Sequence, residues 1–589
     1  DQLYSKDLPL LAAALGRPAR VALLKGRGNY LCRQRLAEAG PQNAELWEPE
    51  PASRGMLARI QKWARTTRVG DLSELRGLSD SHPVWAQVTS SRENCLGRAC
   101  PEYARCHLVA ARREALEADI VVVNHHLLLA DLALKEDGFG DILGACDAVV
   151  LDEAHQIPDL ATQFFGAHLS SRRIENLLKE IRLELASAED NSGSLIETAA
   201  LEVEQAVQRI SACLPAAPGR ISWTEVDSTL SRAVMQLACA VQRLQSVLAP
   251  LAAESPLALI AGRTQDLFSS LERIAATDEL EGARTAETLQ RGFALSLMPF
   301  DISRRFQALL GARACAWIFT SATLSLGEDF SHFTGRLGLD EIDTLKIDSP
   351  FDYERQCVLY LPAGMPEPAS PGYVTAVIET ALPLIEAARG GAFILFTSHR
   401  ALAQGAALVR ASWSATMPFR LFVQGEAPRE RLLQDFRADG NAVLLGTTSF
   451  WEGVDVKGHA LRLVIIEKLP FASPDDPLVR ARIDHLQATG GNAFRDYQLP
   501  EAALALKQGV GRLIRSEEDF GAVVICDPRM VGRGYGRVFV SALPAMSVTR
   551  DSQEVVRFLR RYASEAAPAA EVGSSAMRQS LSASGEPAV

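Results

Sequence analysis

Six short apolar runs constrain what this 589-residue chain can fold into. Val149-Val150-Leu151 leads into Asp152-Glu153, and Trp317-Ile318-Phe319 leads into Thr320-Ser321-Ala322-Thr323. Ala392 to Phe396 precedes Thr397-Ser398, and Val443 to Leu445 precedes Gly446-Thr447-Thr448. Leu463 to Ile466 and Val523 to Ile525 complete the set. Short continuous apolar runs read as parallel strands covered on both faces, with ligand-binding groups at their C-terminal ends. Alternating with helical stretches, they predict α/β sheets. Between Ser170 and Arg291 the pattern changes to apolar residues at three- and four-residue spacing, as in Arg173 to Leu178 and Leu237 to Leu248. That spacing predicts an all-helical insertion. A chain of this length divides into several domains. No apolar run reaches the roughly 18 residues of a membrane span and no signal peptide is present, so the expectation is a cytoplasmic protein with no membrane contact.

Two motifs carry chemistry, about 350 residues apart: Asp152-Glu153-Ala154-His155 and Gln508-Gly509-Val510-Gly511-Arg512-Leu513-Ile514-Arg515. Hydrolysis of a nucleoside triphosphate needs Mg²⁺ near the β- and γ-phosphates, an oriented water and positive charge on the γ-phosphoryl group. A carboxylate at a strand end suits the first task, and Glu153, one residue on, suits the second. Arg512 and Arg515, three apart, would share one helix face with Gln508 a turn earlier. Read singly, each motif leaves a bland alternative, a surface helix start for the first and a salt-bridged helix for the second. Their order, each with strands nearby, favours the catalytic reading. The chain holds no G-x-x-x-x-G-K-[ST] phosphate loop. It opens at Asp1 rather than Met, so we expect that loop to lie in an N-terminal part outside this sequence. Net charge is −11, but 17 Lys/Arg face 9 Asp/Glu between Arg17 and Arg113, leaving that stretch at +8 and the remainder at −19. A local basic surface on an acidic protein suits a phosphate-backbone groove, with clustered solvated charge as the bland alternative.

Ten cysteines in a long chain without a secretory signal do not read as a disulfide framework. Cys146, Cys213, Cys239, Cys315, Cys357 and Cys526 sit singly in apolar surroundings and read as core. Cys95, Cys100 and Cys106 lie within twelve residues, and Cys32 lies upstream in K-G-R-G-N-Y-L-C. Gaps of four and five residues are wider than the usual C-x2-C zinc knuckle. An iron–sulfur cluster, a zinc ion and no metal all remain open on spacing alone. Beside these cysteines, Lys25, Arg27, Arg33, Arg98 and Arg105 are candidates to track phosphates, and Tyr30, Trp63, Trp85 and Tyr103 to stack on bases. The tryptophans read equally as core. His125 and His126, if on a strand, would point to opposite faces, which favours packing or coupling over ligation.

The stretches D-Q-L-Y-S-K-D-L-P, L-L-K-G-R-G-N-Y-L-C, the C-x4-C-x5-C run, V-V-V-N-H-H-L-L-L-A-D, V-V-L-D-E-A-H, F-T-S-A-T-L, D-S-P-F-D-Y, I-L-F-T-S-H-R, F-W-E-G-V-D-V-K-G and Q-G-V-G-R-L-I-R-S-E-E-D span residue 1 to about 535. Together they resemble the iron–sulfur superfamily 2 helicases, the XPD/DinG group, and within it the bacterial YoaA-type branch. The resemblance implies two RecA-like motor lobes with an inserted iron–sulfur domain and an all-helical Arch domain. The first lobe would comprise 1–24, 107–168 and 292–345, the cluster domain 25–106, the Arch 169–291, the second lobe 346–562, and a disordered tail 563–589. It implies ATP-driven movement 5′ to 3′ on single-stranded or forked DNA in repair or replication. Asp152, Glu153, Arg512 and Arg515 would be catalytic. Gln508, Gly511, Glu452, Gly453 and Asp455 would bind nucleotide or couple it to DNA. Cys32, Cys95, Cys100 and Cys106 would ligate a [4Fe-4S] cluster. ATP and Mg²⁺ are the other implied cofactors, and a clamp-loader accessory subunit is an implied partner. Some members carry an exonuclease domain at the N-terminal end. Lacking the phosphate loop, the chain as it stands is expected to be inactive as a motor. The alternative is a non-hydrolysing DNA-binding scaffold that recruits a replication or repair partner.

Overall fold

The computed structural model describes residues 3–16, 18–39, 51–75, 82, 84–91, 94–136, 143–187, 193–226, 228–250, 256–276, 281–413, 419–447, 450, 456 and 458–565. The expected tail beyond residue 565, and Glu452, Gly453 and Asp455, fall outside them. The chain divides into two compact units: residues 1–320, 334–340 and 474–485, and residues 321–333, 341–473 and 486–589.

Among the described residues the first unit holds eight strands: β1 (Val21–Leu23), β2 (Ile120–Val122), β3 (Ala148–Leu151), β4 (Ala167–Ser170), β5 (Gly219–Ser222), β6 (Gly282–Thr288), β7 (Phe293–Pro299) and β8 (Ala316–Phe319). β1 pairs parallel with β2, and β3 parallel with β8. These pairs are thinly covered, with Val150 on β3 61% and Ile318 on β8 46% exposed. The expected all-helical insertion needs correction. Its four long helices, Ser171–Ser187, Gly193–Cys213, Ser228–Leu248 and Pro256–Ala276, pack around one apolar core that includes Ile181, Val203, Leu237 and Leu271. The same core takes Ala286 and Leu295 from a four-stranded antiparallel sheet of order β4-β7-β6-β5. Helical periodicity persists over many turns and dominates a sequence, whereas a four-residue strand such as β5 leaves almost no period to detect.

A helix from late in the chain, Pro477–Ala488, lies mostly in this first unit. Arg480 pairs with Glu225 at 2.6 Å, and His485 stacks on Phe300 with ring centroids 4.3 Å apart.

The second unit is a seven-stranded, wholly parallel sheet. Its strands are β9 (Cys357–Tyr360), β10 (Ala392–Leu395), β11 (Leu421–Val423), β12 (Val443–Gly446), β13 (Leu463–Ile466), β14 (Gly521–Ile525) and β15 (Ser547–Thr549), in the order β11-β12-β10-β13-β14-β9-β15. Strand alternation sends successive side chains to opposite faces. Leu359, Phe393, Leu444, Val464 and Val523 enter one core, and Val358, Ile394, Val443, Ile465 and Val524 the other. Covering both faces explains why these segments are apolar at every position rather than at every second one. No described helix is long and apolar enough to cross a membrane.

Candidate active site

Asp152 and Glu153 stand immediately past the C-terminal end of β3, as the run Val149-Val150-Leu151 led us to expect. Neighbouring β8 fixes this corner. The Thr320 N–H donates to the Leu151 carbonyl at 2.9 Å, and the Thr320 carbonyl accepts from the Ala154 N–H at 2.9 Å. The Thr320 hydroxyl donates to Asp152 Oδ1 at 3.1 Å, orienting a carboxylate that remains exposed. Glu153 has φ 50° and ψ 42°, the left-handed region that non-glycine residues occupy only at a cost. Its carboxylate lies 3.3 Å from His155 Nδ1.

His125 begins the helix His125–Glu136, so the two histidines open a helix and the strand geometry expected for them does not apply. Burial lowers the His125 pKa, opposed by a hydrogen bond to the Asp152 backbone and by the Asp152 charge. His125 therefore sits against the Asp152 corner as a neutral ring. Its helix is held by a buried pair: Arg313 Nη2 donates to Asp131 Oδ2 at 3.0 Å and to the Gly144 carbonyl at 2.9 Å.

In the second unit the sequence reading of the arginine motif needs a correction. Gln508 lies on the helix Leu499–Val510, but the helix ends there, with Gly511 as its C-cap. Arg512 and Arg515 therefore lie beyond it, on tight turns, and do not share a helix face. The Arg512 N–H approaches the Gly509 carbonyl at 3.4 Å and the Leu513 N–H the Val510 carbonyl at 3.2 Å, the three-residue spacing of a tightened end. Two glycines around Val510 weaken helix continuation. Leu513 and Ile514 are each 2% exposed and anchor the segment in the core, so the half-buried arginines flanking them are still held. Arg515 Nε is buried without a hydrogen-bond partner among the described residues. Gln508 Nε2 donates to Thr323 Oγ1 at 3.3 Å, joining this motif to Ser321-Ala322-Thr323.

A cleft of ≈ 610 Å³ opens beside this segment, lined by Asp352, Arg355, His459, Glu517, Glu518 and Tyr562 among others. Its excess of carboxylates does not suit a phosphate ligand.

Cys32, Cys95, Cys100 and Cys106 are all half-buried and free of disulfides. Burial pushes the Cys32 thiol up, and Cys100 and Cys106 lie close enough to push it further. Cys32 and Cys106 cap the helices Arg33–Glu38 and His107–Glu117, and Cys100 follows the short turn Gly97–Ala99. No three His, Cys, Asp or Glu groups among the described residues converge on a point where one ion would sit. Arg33 Nε and Arg112 Nε are buried without partners among the described residues, and Arg112 lies near Cys95 and Cys106. Cationic side chains beside thiols are compatible with an anionic occupant. The local core is small: Leu31, Ile60, Val84 and Val88 are its only fully buried apolar members among the described residues.

Of the residues expected to contact DNA, Tyr30 is buried, while two of the cations are paired within the chain. Lys25 pairs with Asp71 at 2.8 Å, Arg105 pairs with Glu102 at 2.9 Å, and Tyr30 is 3% exposed in the core. Trp63 donates from Nε1 to Glu74 at 3.0 Å and packs on the small core together with Trp85.

A parallel-sheet fold carrying D-E-A-H at one strand end and Q-x-x-G-R-x-x-R after a helix defines the superfamily 2 helicase class. A model of the helicase C-terminal domain matches residues 381–546. The chain is 40% identical over 562 residues to the ATP-dependent DNA helicase YoaA of Escherichia coli (strain K12), covering 95% of this chain and 87% of that protein. YoaA of Haemophilus influenzae is 39% identical over 564 residues, with the same two coverages of 95% and 87%. The ATP-dependent helicase DinG of Mycobacterium tuberculosis is 34% identical over 598 residues, covering 95% of this chain and 86% of that protein. A solved XPD helicase shares the fold with a TM-score of 0.53 at 14% identity, over 93% of this chain and 90% of that one. The chain belongs to the XPD/DinG family of superfamily 2 helicases, with the YoaA proteins among its relatives.

Proposed function

We propose that this chain forms the motor of an ATP-dependent DNA helicase that moves 5′ to 3′ along single-stranded or forked DNA in repair or replication. The observation that carries the reading is the strand-end corner, with Asp152 oriented by Thr320 and Glu153 held in left-handed backbone. Asp152 would hold the Mg²⁺ that accompanies ATP and neutralises charge on its phosphates. Glu153 orients the attacking water and takes its proton. Arg512 and Arg515 offer positive charge to the γ-phosphoryl group, and Gln508 and Gly511 line the same nucleotide. Glu452, Gly453 and Asp455 couple nucleotide to DNA. Cys32, Cys95, Cys100 and Cys106 would hold a [4Fe-4S] cluster, which supplies rigidity where the apolar core is small. DNA as substrate is supported by the names of the relatives, which are ATP-dependent DNA helicases. A clamp-loader accessory subunit is the partner we propose.

A second reading is a scaffold that binds DNA without hydrolysing ATP. Joining a phosphate-loop segment to the chain separates the two. The motor reading expects DNA-stimulated phosphate release that Glu153→Gln abolishes. The scaffold reading expects DNA binding with no phosphate release.

A further inference from the structure

We infer that Asp519 is the positioning residue for Arg515, and that Gln356 locks the turn from which Asp519 acts. The inference rests on the reading of Arg515 as a phosphate-facing charge. Past Val510 no helical ladder fixes the backbone, so the placement of Arg515 depends on other bonds. Asp519, 3% exposed, supplies them: its Oδ2 accepts from the Arg515 N–H at 2.7 Å. Its Oδ1 accepts from the Gly458 N–H at 3.1 Å. Gly458, at φ 74°, follows the segment that carries Glu452, Gly453 and Asp455. One buried carboxylate thus ties Gly458 to the arginine turn. Charge-assisted bonds to backbone N–H groups are short and strong, which suits a joint that must not slip.

Gln356, 8% exposed, works on the same turn from the strand-start side. Its Nε2 donates to the carbonyls of Ser516 at 2.9 Å, Glu517 at 3.1 Å and Asp519 at 2.8 Å. The two hydrogens of one amide group are thereby shared among three carbonyls that no regular element covers. Neither side chain reaches a reacting atom in this account. Each acts through the backbone of the residue that would.

The test uses ATP-hydrolysing protein that carries a phosphate loop together with this chain. Asp519→Asn turns an acceptor into a donor facing an N–H. It should lower DNA-stimulated kcat about 10- to 100-fold, the scale of a misplaced catalytic group. KM for ATP should move less than about threefold. Placed on Arg515→Ala, the change should cost much less, because the side chain that Asp519 positions through the backbone is already gone. Amide hydrogen exchange at Arg515 and Gly458 should accelerate while the β13 and β14 amides stay protected. Gln356→Leu should reproduce the pattern more weakly and serves if Asp519→Asn does not fold. Protected amides at Arg515 and Gly458 in both variants, or an undiminished loss of kcat on the Arg515→Ala background, overturns the proposal. If Arg515→Ala leaves turnover intact while Asp519→Asn frees the two amides, the phosphate role of Arg515 fails and its backbone positioning by Asp519 stands.

Discussion

Arg313→Ala should destabilise the first unit far more than an ordinary surface substitution. Arg313 is 6% exposed and its partner Asp131 0%, and they meet at 3.0 Å. The same guanidinium nitrogen also donates to the Gly144 carbonyl. Removing it takes a charged partner from a fully buried carboxylate and a donor from the carbonyl. Breaking a buried pair from one side costs about 3–5 kcal/mol. At roughly 2 °C per kcal/mol for a large unit, that is a fall of about 6–10 °C in Tm. The paired replacement Asp131→Leu with Arg313→Met removes both charges and should recover most of the loss. Because Asp131 lies on the helix that begins at His125, nucleotide affinity should fall in the single variant and return in the double. Thermal unfolding of the three proteins is the assay. A single variant within about 1 kcal/mol of the parent would refute the reasoning, since so cheap a loss means water reaches the carboxylate.

Other outcomes follow from the same geometry. Cys100→Ser should strip protein prepared without oxygen of its ~4 irons and ~4 sulfides, read by metal analysis and the visible spectrum; zinc, or well-folded metal-free protein, would count against the cluster. Cys357, whose thiol burial pushes up to about 12, should resist alkylation in native protein at pH 8 and react fully in denaturant. Arg462 donates to the carbonyls of His459 and Arg389 and to Asn441 Oδ1, so Arg462→Met should cost about 2–4 kcal/mol in chemical denaturation.

The parallel sheet was legible because burial on both faces leaves uninterrupted apolar runs, and Leu463–Ile466 or Val443–Gly446 can hardly be anything else. The strand-end carboxylates were legible because Asp152 and Glu153 mark where the apolar run of β3 stops, even though that strand is thinly covered. The arginine turn was less so. Spacing places Arg512 and Arg515 on one face only if a helix continues, and spacing does not say where a helix stops. Tyr30 shows a second limit, since an aromatic beside basic residues reads alike whether it stacks on a ligand or closes a core. Asp519 left no local signal, because its partner Gly458 is 61 residues away in sequence and only the fold joins them.

The central claim is that ATP hydrolysis requires both D-E-A-H and the arginine turn. DNA-stimulated phosphate release by phosphate-loop-bearing protein tests it most directly, comparing the parent with Glu153→Gln and Arg515→Ala while single-stranded DNA binding is followed in parallel. The account predicts losses of about 10²-fold or more for Glu153→Gln and about 10³-fold for Arg515→Ala, with DNA binding retained in both. Turnover unchanged by either substitution in folded, DNA-binding protein would contradict it.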